Sequence, residues 1–266
     1  MSNAGSDYLQ SLERGLSVIT AFSAQTPLAT ISEIATRTGL SRAAARRVLL
    51  TLKELGYVRS EKRLFALTPK ILEIGSAYLS ALLLPDVAAP HIRGLAARFK
   101  ESSSVAVLDG AEIVYVARAP TRRIMTISLN IGSRLPAYCT SMGRVLLAHL
   151  PEQDLQQILE SIELKRLTPR TVTSLALLRK TLADVRARGW ALVDQELEEG
   201  VRSIAVPIWS SGSVIAAINV SAHAGRTSLE RTRLFLPELL RTAERISGEL
   251  GFTATTVAGD RRTAGT

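Results

Sequence analysis

Residues 30–55 read TISEIATRTGLSRAAARRVLLTLKEL, and this stretch decides the fold of the N-terminal part of the chain. Thr30 is a good helix N-cap, and Glu33 three residues later completes a capping box. Gly39 supplies the left-handed residue that ends this helix, and Ser41 caps the next helix at once. The stretch therefore predicts two short helices joined by a tight turn.

The second of these helices has the amphipathic pattern of a DNA-recognition helix. Its apolar stripe recurs at helical spacing and consists of Ala45, Val48, Leu49, Leu52 and Leu55. The opposite arc carries Ala43, Arg46, Arg47 and Leu50, with Arg42 near its edge. Small side chains such as Ala43 and Ala44 let a helix approach the floor of a groove, where arginines can bind guanine edges or phosphates. The pattern indicates a helix-turn-helix.

A β-hairpin is predicted directly after this helix. Gly56 ends the helix, and residues 57–60 and 63–67 have the pattern of two short strands. The hairpin would form a wing whose basic side chains contact phosphates. A generic small domain with surface arginines is the alternative, but caps, turn, stripe, arginine arc and wing in this order favour DNA binding. The predicted DNA contacts are Thr30, Ser41, Arg42, Ala43, Ala44, Arg46, Arg47, Arg59, Lys62 and Arg63.

The charge of the chain is concentrated around this motif. The net charge is +9, and residues 1–70 contain ten basic and five acidic residues, against 23 and 19 in the remaining 196 residues. A solvated basic surface would also explain the total, but the concentration favours an anionic partner such as double-stranded DNA. With 266 residues, 46% of them hydrophobic, the chain suits two folded domains rather than a disordered protein.

Several classes of protein are disfavoured by what the sequence lacks. No apolar run approaches the roughly eighteen residues of a membrane helix, and no signal pattern precedes the first helix, so a cytoplasmic protein is expected. The single cysteine, Cys139, excludes internal disulfides, and the three histidines lack the spacing of metal ligands. No metal or cofactor is therefore expected.

Enzymatic activity is not expected either. The chain has no GxSxG elbow, P-loop or GxGxxG motif. Cys139 would need a histidine to activate it, and none is positioned by the sequence. The acidic run of Asp194, Glu196, Glu198 and Glu199 could hold a divalent cation, but a solvated strand end is the favoured interpretation.

The rest of the chain predicts a linker and a second domain. Residues 8–22 form an amphipathic first helix, and residues 69–84 form a long helix with enough apolar surface to connect the domains and help pair two subunits. Further helices are predicted over residues 87–100, 141–150, 174–188 and 229–250. Strands are predicted over residues 104–108, 113–117, 125–130, 190–194, 203–208 and 214–221. Strands bracketed by helices indicate an α+β domain around an antiparallel sheet, followed by a disordered tail at residues 253–266.

Two places in the second domain break the local pattern. Asn219 and Ser221 interrupt a strand that is otherwise apolar on both faces, so they need partners, either a ligand or neighbouring loops. The run RLPAYCTSMGR over residues 134–144 has Thr140 and Ser141 as caps of a helix. Free N–H groups and the positive end of the helix dipole there suit a carboxylate, although an ordinary capped helix would look alike.

The chain resembles the IclR family of bacterial regulators over nearly its whole length. The matching stretches are residues 31–35, 39–41, 49–58, 67–69, 136–148, 200–208 and 216–221. The versions SRAAARR at residues 41–47 and RLPAYCTSMGR at residues 134–144 look most like the PcaR/PcaU/PobR branch. That branch controls the catabolism of aromatic acids through the β-ketoadipate pathway.

The resemblance implies an architecture and a set of ligand contacts. It implies a winged helix-turn-helix domain at residues 1–68, a linker helix at 69–84 and a GAF-like effector domain at 85–252. It also implies a homodimer, or a tetramer made of two dimers, on a palindromic operator, with a small carboxylate as effector. The expected effector contacts are Arg134, Tyr138, Ser141, Met142, Asp194, Ser203, Asn219 and Ser221.

The chain departs from family members that bind small acids. Those members have serine or cysteine where this chain has Ser203 and Asn219, and a smaller pair in place of Ser141 and Met142. This disfavours glyoxylate-like ligands and leaves an aromatic acid or a β-ketoadipate pathway intermediate. The competing hypotheses are a metabolite-binding protein and an enzyme built on the second domain, neither of which would need DNA.

Overall fold

The computed structural model describes residues 8–23, 25–75, 83–121 and 129–260 of the chain. It divides into two units, residues 1–81 and residues 82–266. Among the described residues, no helix combines the length and the apolar character needed to cross a membrane.

The first unit contains the predicted helix-turn-helix and hairpin. Its elements are α1 (Gln10–Thr20), α2 (Ile31–Thr38), α3 (Arg42–Glu54), β1 (Val58–Glu61) and β2 (Leu64–Leu67). The capping box is present, since the Thr30 hydroxyl accepts from the N–H of Glu33 and the Glu33 carboxylate accepts from the N–H of Thr30. Gly39 is left-handed, with φ of 68°, as predicted. The core consists of Val18, Ala29, Ile34, Ala35, Ala45, Leu49, Leu52, Val58 and Phe65.

The predicted linker is only partly described. Pro69–Ile71 form a 3₁₀ turn and residues 72–75 are helical, whereas residues 76–82 lie outside the described residues. The next helix, α4 (Leu83–Phe99), contains both Pro85 and Pro90. The prediction of one helix that ends near Pro85 and another that begins at residue 87 is therefore wrong. Pro85 lies in the first turn, where a backbone N–H has no acceptor within the helix, so a proline there removes no hydrogen bond.

The second unit is built on a six-stranded sheet. The strands are β3 (Ser102–Asp109), β4 (Glu112–Ala119), β5 (Arg134–Pro136), β6 (Ala191–Asp194), β7 (Val201–Ser210) and β8 (Ser213–His223). Their order is β5-β4-β3-β8-β7-β6, and every pair is antiparallel, which confirms the α+β class with an antiparallel sheet. The predicted strand at 125–130 lies mostly outside the described residues, and residues 129 and 130 are not in a strand.

Helices cover both faces of the sheet. They are α4, α5 (Ser141–Ala148), α6 (Glu152–Ser161), α7 (Leu175–Arg188), α8 (Leu229–Arg233) and α9 (Leu236–Asp260). One core joins Val105 and Ile218 of the sheet to α4 and α9. The other joins Ala106 and Ala217 to α5, α6 and α7. Consecutive residues of a strand therefore point to opposite faces of the sheet and into different cores. The second core contains the start of α5.

The C-terminal segment differs from the predicted boundaries at two points. The single helix over residues 229–250 is divided after Arg233, because the ring of Pro237 clashes with the carbonyl four residues earlier. The helix α9 continues to Asp260, through part of the tail predicted to be disordered, and residues 261–266 lie outside the described residues.

Candidate nucleic-acid interface and ligand cavity

The recognition helix α3 presents arginines on its exposed face. The Ser41 side chain caps it by accepting from the N–H of Ala44 at 3.2 Å. Ala45, Leu49 and Leu52 are buried in the core of the first unit. The side chains that the sequence places on the outer arc are exposed, namely Arg42, Ala43, Arg46 and Arg47. The apolar stripe of α3 is therefore buried in the core. Its arginines lie together on the solvent-accessible side of the helix.

The six cations of this unit that are predicted to contact DNA have no partner within the described part of the chain. They are Arg42, Arg46 and Arg47 of α3 together with Arg59, Lys62 and Arg63 of the hairpin. By contrast, Arg37 donates to the carbonyl of Ala21 and to Thr26, and Lys70 donates to the carbonyl of Leu55. Arg37 and Lys70 thus bond within the unit, whereas the six predicted contacts, like Arg14 and Lys53, have charges that are available to an anion.

Three predicted DNA contacts also bond or pack within the first unit, namely Thr30, Ala44 and Ser41, whose cap bond is described above. The Thr30 hydroxyl accepts from the N–H of Glu33. The N–H and the hydroxyl of Thr30 both donate to the Glu33 carboxylate, and these two bonds lower the pKa of that carboxyl. Ala44 is half-buried and lies beside the groove between α1 and α3 rather than on the outer arc. By helical spacing Ala43 lies in the middle of the arc, whereas Ala44 lies at its edge beside Arg47, which lines the same groove.

A small closed cavity lies at the N-terminus of α5. Five of the predicted effector residues line it, and they are Ser141, Met142, Ser203, Asn219 and Ser221. Val193, Leu197 and Val201 add apolar wall. Its volume is about 20 Å³, which is room for a single water molecule.

Hydrogen bonds join the polar side chains around the cavity. The hydroxyls of Ser141 and Ser203 are 2.8 Å apart, which ties α5 to β7. The Asn219 amide accepts from the N–H of Ser104 and donates to the Ser221 hydroxyl. Asn219 and Ser221 therefore have partners within the sheet rather than in neighbouring loops. Both also lie in the cavity wall, so a contact with a ligand stays a prediction.

The start of α5 is held in place by a close backbone contact. Thr140 caps the helix by accepting from the N–H of Gly143 at 3.2 Å. A Cβ atom on Gly143 would lie 2.2 Å from the carbonyl oxygen of Ala137, so only glycine fits. The first N–H groups of a helix have no acceptor within it, and here they belong to Ser141 and Met142 of the cavity wall. The positive end of α5 therefore faces the cavity and suits an anion.

Three predicted effector residues do not line the cavity. Arg134 is exposed and donates to Asp109 and Glu112 at 2.7 Å. Tyr138 donates to the carbonyl of Lys165 at 2.7 Å, and burial raises its pKa to about 12. Asp194 accepts from Arg202 at 2.7 Å and also from Arg170. Each of these side chains forms hydrogen bonds outside the cavity. The residues next to them in the sequence did not reveal which way they point.

The acidic run contains a buried ion pair that the sequence analysis missed. Arg144 donates to both carboxylate oxygens of Glu196 at 2.6 Å, and the two side chains are 4% and 10% exposed. Arg144 also donates to the carbonyl of Tyr138 at 2.9 Å. Within the described ranges, no cluster of three metal-ligating side chains occurs. The interpretation of this run as a solvated strand end is wrong for Glu196, and its charge is matched by arginine.

The cysteine beside the cavity is poorly suited to nucleophilic chemistry. Burial raises the pKa of the Cys139 thiol to about 12, so the thiol stays protonated at neutral pH. No histidine is among the described residues that line the cavity. The described residues of the wall therefore offer no histidine base to activate the thiol.

Comparison with known proteins decides the family. Residues 11–62 match the IclR helix-turn-helix domain, and residues 76–248 match the bacterial transcriptional regulator IclR C-terminal domain. The chain belongs to the IclR family. It is a DNA-binding transcriptional regulator, and the family predicted from the sequence motifs is confirmed.

Similar proteins place this IclR regulator with the Pca branch. It is 45% identical to the Pca regulon regulatory protein of Pseudomonas putida, over 92% of this chain and 85% of that protein. A transcriptional regulator from Rhodococcus sp. RHA1 is 51% identical, with a TM-score of 0.81 over 91% of this chain and 98% of that one. An IclR homolog from Microbacterium hydrocarbonoxydans, solved with 4-hydroxybenzoate, is 28% identical, with a TM-score of 0.79 over 90% and 98%.

Proposed function

We propose that this regulator binds a palindromic operator as a homodimer or as a tetramer of two dimers, in the cytoplasm, and that a small aromatic carboxylate controls the binding. The cavity at the start of α5 carries this proposal, because it joins a helix N-terminus, serine hydroxyls and apolar walls. The relative solved with 4-hydroxybenzoate and the Pca regulator support an aromatic acid as the ligand. No observation favours the alternatives of a metabolite-binding protein or an enzyme that works without DNA.

The DNA-binding surface is proposed to be the exposed side of α3 together with the hairpin. Ser41 and Ala43 would face the major groove, where Arg42, Arg46 and Arg47 would contact bases or phosphates. The hairpin cations Arg59, Lys62 and Arg63 would contact phosphates beside the groove. All six cations are unpaired within the described residues and so can pair with phosphate without breaking an internal bond.

The effector carboxylate is proposed to lie against the first turn of α5. The N–H groups of Ser141 and Met142 and the paired hydroxyls of Ser141 and Ser203 would bind it. Met142, Val193 and Leu197 would contact the ring. A cavity of about 20 Å³ cannot hold a benzoate-sized ligand, for which pockets of roughly 300 Å³ or more are usual. Ligand binding therefore requires the cavity wall to move. The protein then has a closed and an open state, and the ligand favours the open state because it binds only there.

The exposed apolar side chains of the first unit are proposed to contact a second copy of the chain. Leu9, Leu12 and Leu16 of the α1 region are 67%, 59% and 50% exposed, and Leu72 and Ile74 are 70% and 52% exposed. Leu12, Leu16 and Ile74 line one groove, and exposed apolar side chains grouped in this way are typical of a protein–protein interface. Sedimentation of the full chain tests this, and a monomer at micromolar concentration would contradict it.

Replacing Arg59 by alanine should weaken DNA binding about equally for operator and unrelated sequences. One lost phosphate contact should lower the slope of log K against log salt by about 0.9. Fluorescence anisotropy at several salt concentrations measures both quantities, and Lys180→Ala, an exposed position of α7, is the control. A variant with an unchanged salt slope and a lost sequence preference would contradict the wing assignment.

A thermal-shift screen tests the ligand class directly. A bound acid at 100 times its Kd should stabilise the folded chain by about 2.7 kcal/mol. The screen uses 4-hydroxybenzoate, protocatechuate and β-ketoadipate with the full chain. The absence of any shift from these acids would refute the proposed effector class while leaving DNA binding untouched.

A further inference from the structure

A larger pocket of the second unit is an open groove at the other end of α5 from the small cavity. His149, Leu150 and Pro151 follow directly after α5, and they lie beside the last turn of α7 and the turn that joins β7 to β8. The volume of the groove is about 720 Å³, which is within the range of small-molecule sites. It shares no lining residue with the cavity at the start of α5, so the two are separate.

The charged side chains of the groove are basic. Arg186 and Arg188 lie in the last turn of α7, and no acidic residue is among the described residues that line the groove. Neither arginine forms an ion pair with another described residue. The carboxylate of Asp184 acts on Arg188 only through its charge, and the guanidinium of Arg233 opposes it. The groove therefore attracts an anion.

Both guanidinium groups are held by backbone carbonyls and keep further N–H groups for a ligand. Arg186 donates through Nη2 to the carbonyl of Leu150 at 3.1 Å, and Arg188 donates through Nε to the carbonyl of Trp190 at 2.7 Å. Arg188 also stacks on the Trp190 ring, 4.1 Å from its centroid. Among the described residues, no acceptor bonds the two Nη groups of Arg188. They can form the paired hydrogen bonds that arginine makes with a phosphate or a carboxylate.

A tryptophan ring supplies an apolar surface of the groove. Trp209 is 43% exposed, and its backbone N–H donates to the Ser247 hydroxyl at 2.9 Å. The ring of His149 meets the indole edge-on at 5.4 Å, and a bond of 2.7 Å joins His149 Nδ1 to the carbonyl of Val145. The indole is therefore held in place while part of its surface stays open to solvent, which suits stacking with a flat ring.

The chemistry of the groove matches a phosphate that carries a planar ring. Two guanidinium groups match the nearly two negative charges of a phosphate monoester at neutral pH, whereas a carboxylate has a single charge. Basic side chains in the last turn of a helix also offset the helix dipole. That role would explain the positions of Arg186 and Arg188, but it requires no exposed tryptophan beside them.

We propose that this groove binds a small anion made of a planar ring and a phosphate group, of which a mononucleotide is the simplest example. Arg186 and Arg188 bind the phosphate, and the ring lies on Trp209. The site does not depend on the aromatic acid proposed for the cavity, since the two sites have different walls.

Calorimetric titration of the full chain with AMP tests the ligand class. AMP should bind with a Kd below about 1 mM. Ribose 5-phosphate lacks the ring and adenosine lacks the phosphate, so each should bind at least about tenfold more weakly than AMP. Saturating benzoate should not displace AMP, because a carboxylate without a phosphate does not match the two arginines.

Variants of the groove locate the bound AMP. Arg188→Met and Trp209→Ala should each weaken AMP binding about tenfold or more, through the loss of charged hydrogen bonds and of stacking respectively. Arg188→Lys keeps the charge but loses the paired donors, so its affinity should be intermediate. Lys180→Met is the matched control, because it removes an exposed cation of the same helix that does not line the groove. Its affinity for AMP should equal that of the wild type.

The outcomes separate the parts of the proposal. A wild-type chain that does not bind AMP below about 1 mM would overturn it. So would AMP binding that is unchanged in both Arg188→Met and Trp209→Ala, since the nucleotide would then lie elsewhere on the protein. Equal binding of ribose 5-phosphate would overturn the stacking on Trp209, and displacement of AMP by benzoate would overturn the preference for phosphate. None of these results would affect the effector proposed for the cavity.

Discussion

Replacing Arg144 by methionine is expected to destabilise the second unit by about 3–5 kcal/mol, the cost of leaving a buried carboxylate without its partner. The pair with Glu196 has two hydrogen bonds of 2.6 Å and almost no exposure. At about 2–4 °C per kcal/mol, the melting temperature should fall by roughly 10 °C. Chemical denaturation followed by circular dichroism gives the free energy of unfolding.

The effect of this substitution should extend to the cavity. Glu196 also accepts from the N–H of Val172, and its carbonyl accepts from the Thr171 hydroxyl. These bonds hold the segment that contains Leu197, which is part of the cavity wall. We expect Arg144→Met to weaken effector binding as well as stability, because the wall loses its anchor.

The double variant Arg144→Met, Glu196→Gln is the control for the ion pair. Removing both charges should restore most of the lost free energy, since no unpaired charge then remains buried. A single Arg144→Met variant that costs less than about 1 kcal/mol, or a double variant that costs the sum of both singles, would contradict the proposed pairing.

Replacing Gly143 by alanine is the second change with a large expected effect. The added Cβ would lie 2.2, 2.3 and 2.6 Å from three backbone atoms of Ala137, so the turn before α5 must move. Such overpacking costs about 1–3 kcal/mol or more. Because that turn leads into Thr140 and Ser141 of the cavity wall, effector affinity should fall together with the free energy of unfolding.

Gly94→Ala is the matched control for this glycine. Gly94 lies inside α4, and a Cβ added there would meet nothing within 4 Å. Alanine is favoured over glycine in a helix interior by about 0.5–1 kcal/mol, so this variant should be more stable than the wild type. Glycine to alanine should therefore lower the free energy of unfolding at position 143 and raise it at position 94. A Gly143→Ala variant as stable as the wild type would contradict the close contact with Ala137.

The sequence predicted the first unit well because its signals are local. Thr30 with Glu33, Gly39 and Ser41 mark helix ends within a few residues, and the leucines of α3 repeat at helical spacing. Strand β5 has only three residues and depends on pairing with β4, which is distant in sequence. Helix α6 has no side-chain cap, so the strongest marker of a helix start is missing there.

The cavity residues could be predicted only where residues close in sequence determine the direction of a side chain. Ser141 and Met142 could be placed at a helix start from the caps that precede them. The partners of Arg144 and Asp194, by contrast, are far away in sequence. Tyr115 alternates with core residues of β4 like any apolar strand position, and only the structure shows that it lines the cavity.

Operator binding in the presence of the acid tests the central claim most directly. Fluorescence anisotropy measures the Kd of the full chain for a duplex from its own upstream region, at fixed salt, with and without saturating 4-hydroxybenzoate. A coupling of about 1–3 kcal/mol predicts a change in that Kd of roughly 5–150-fold. An unchanged operator Kd, with the acid shown by calorimetry to be bound, would contradict effector control of DNA binding.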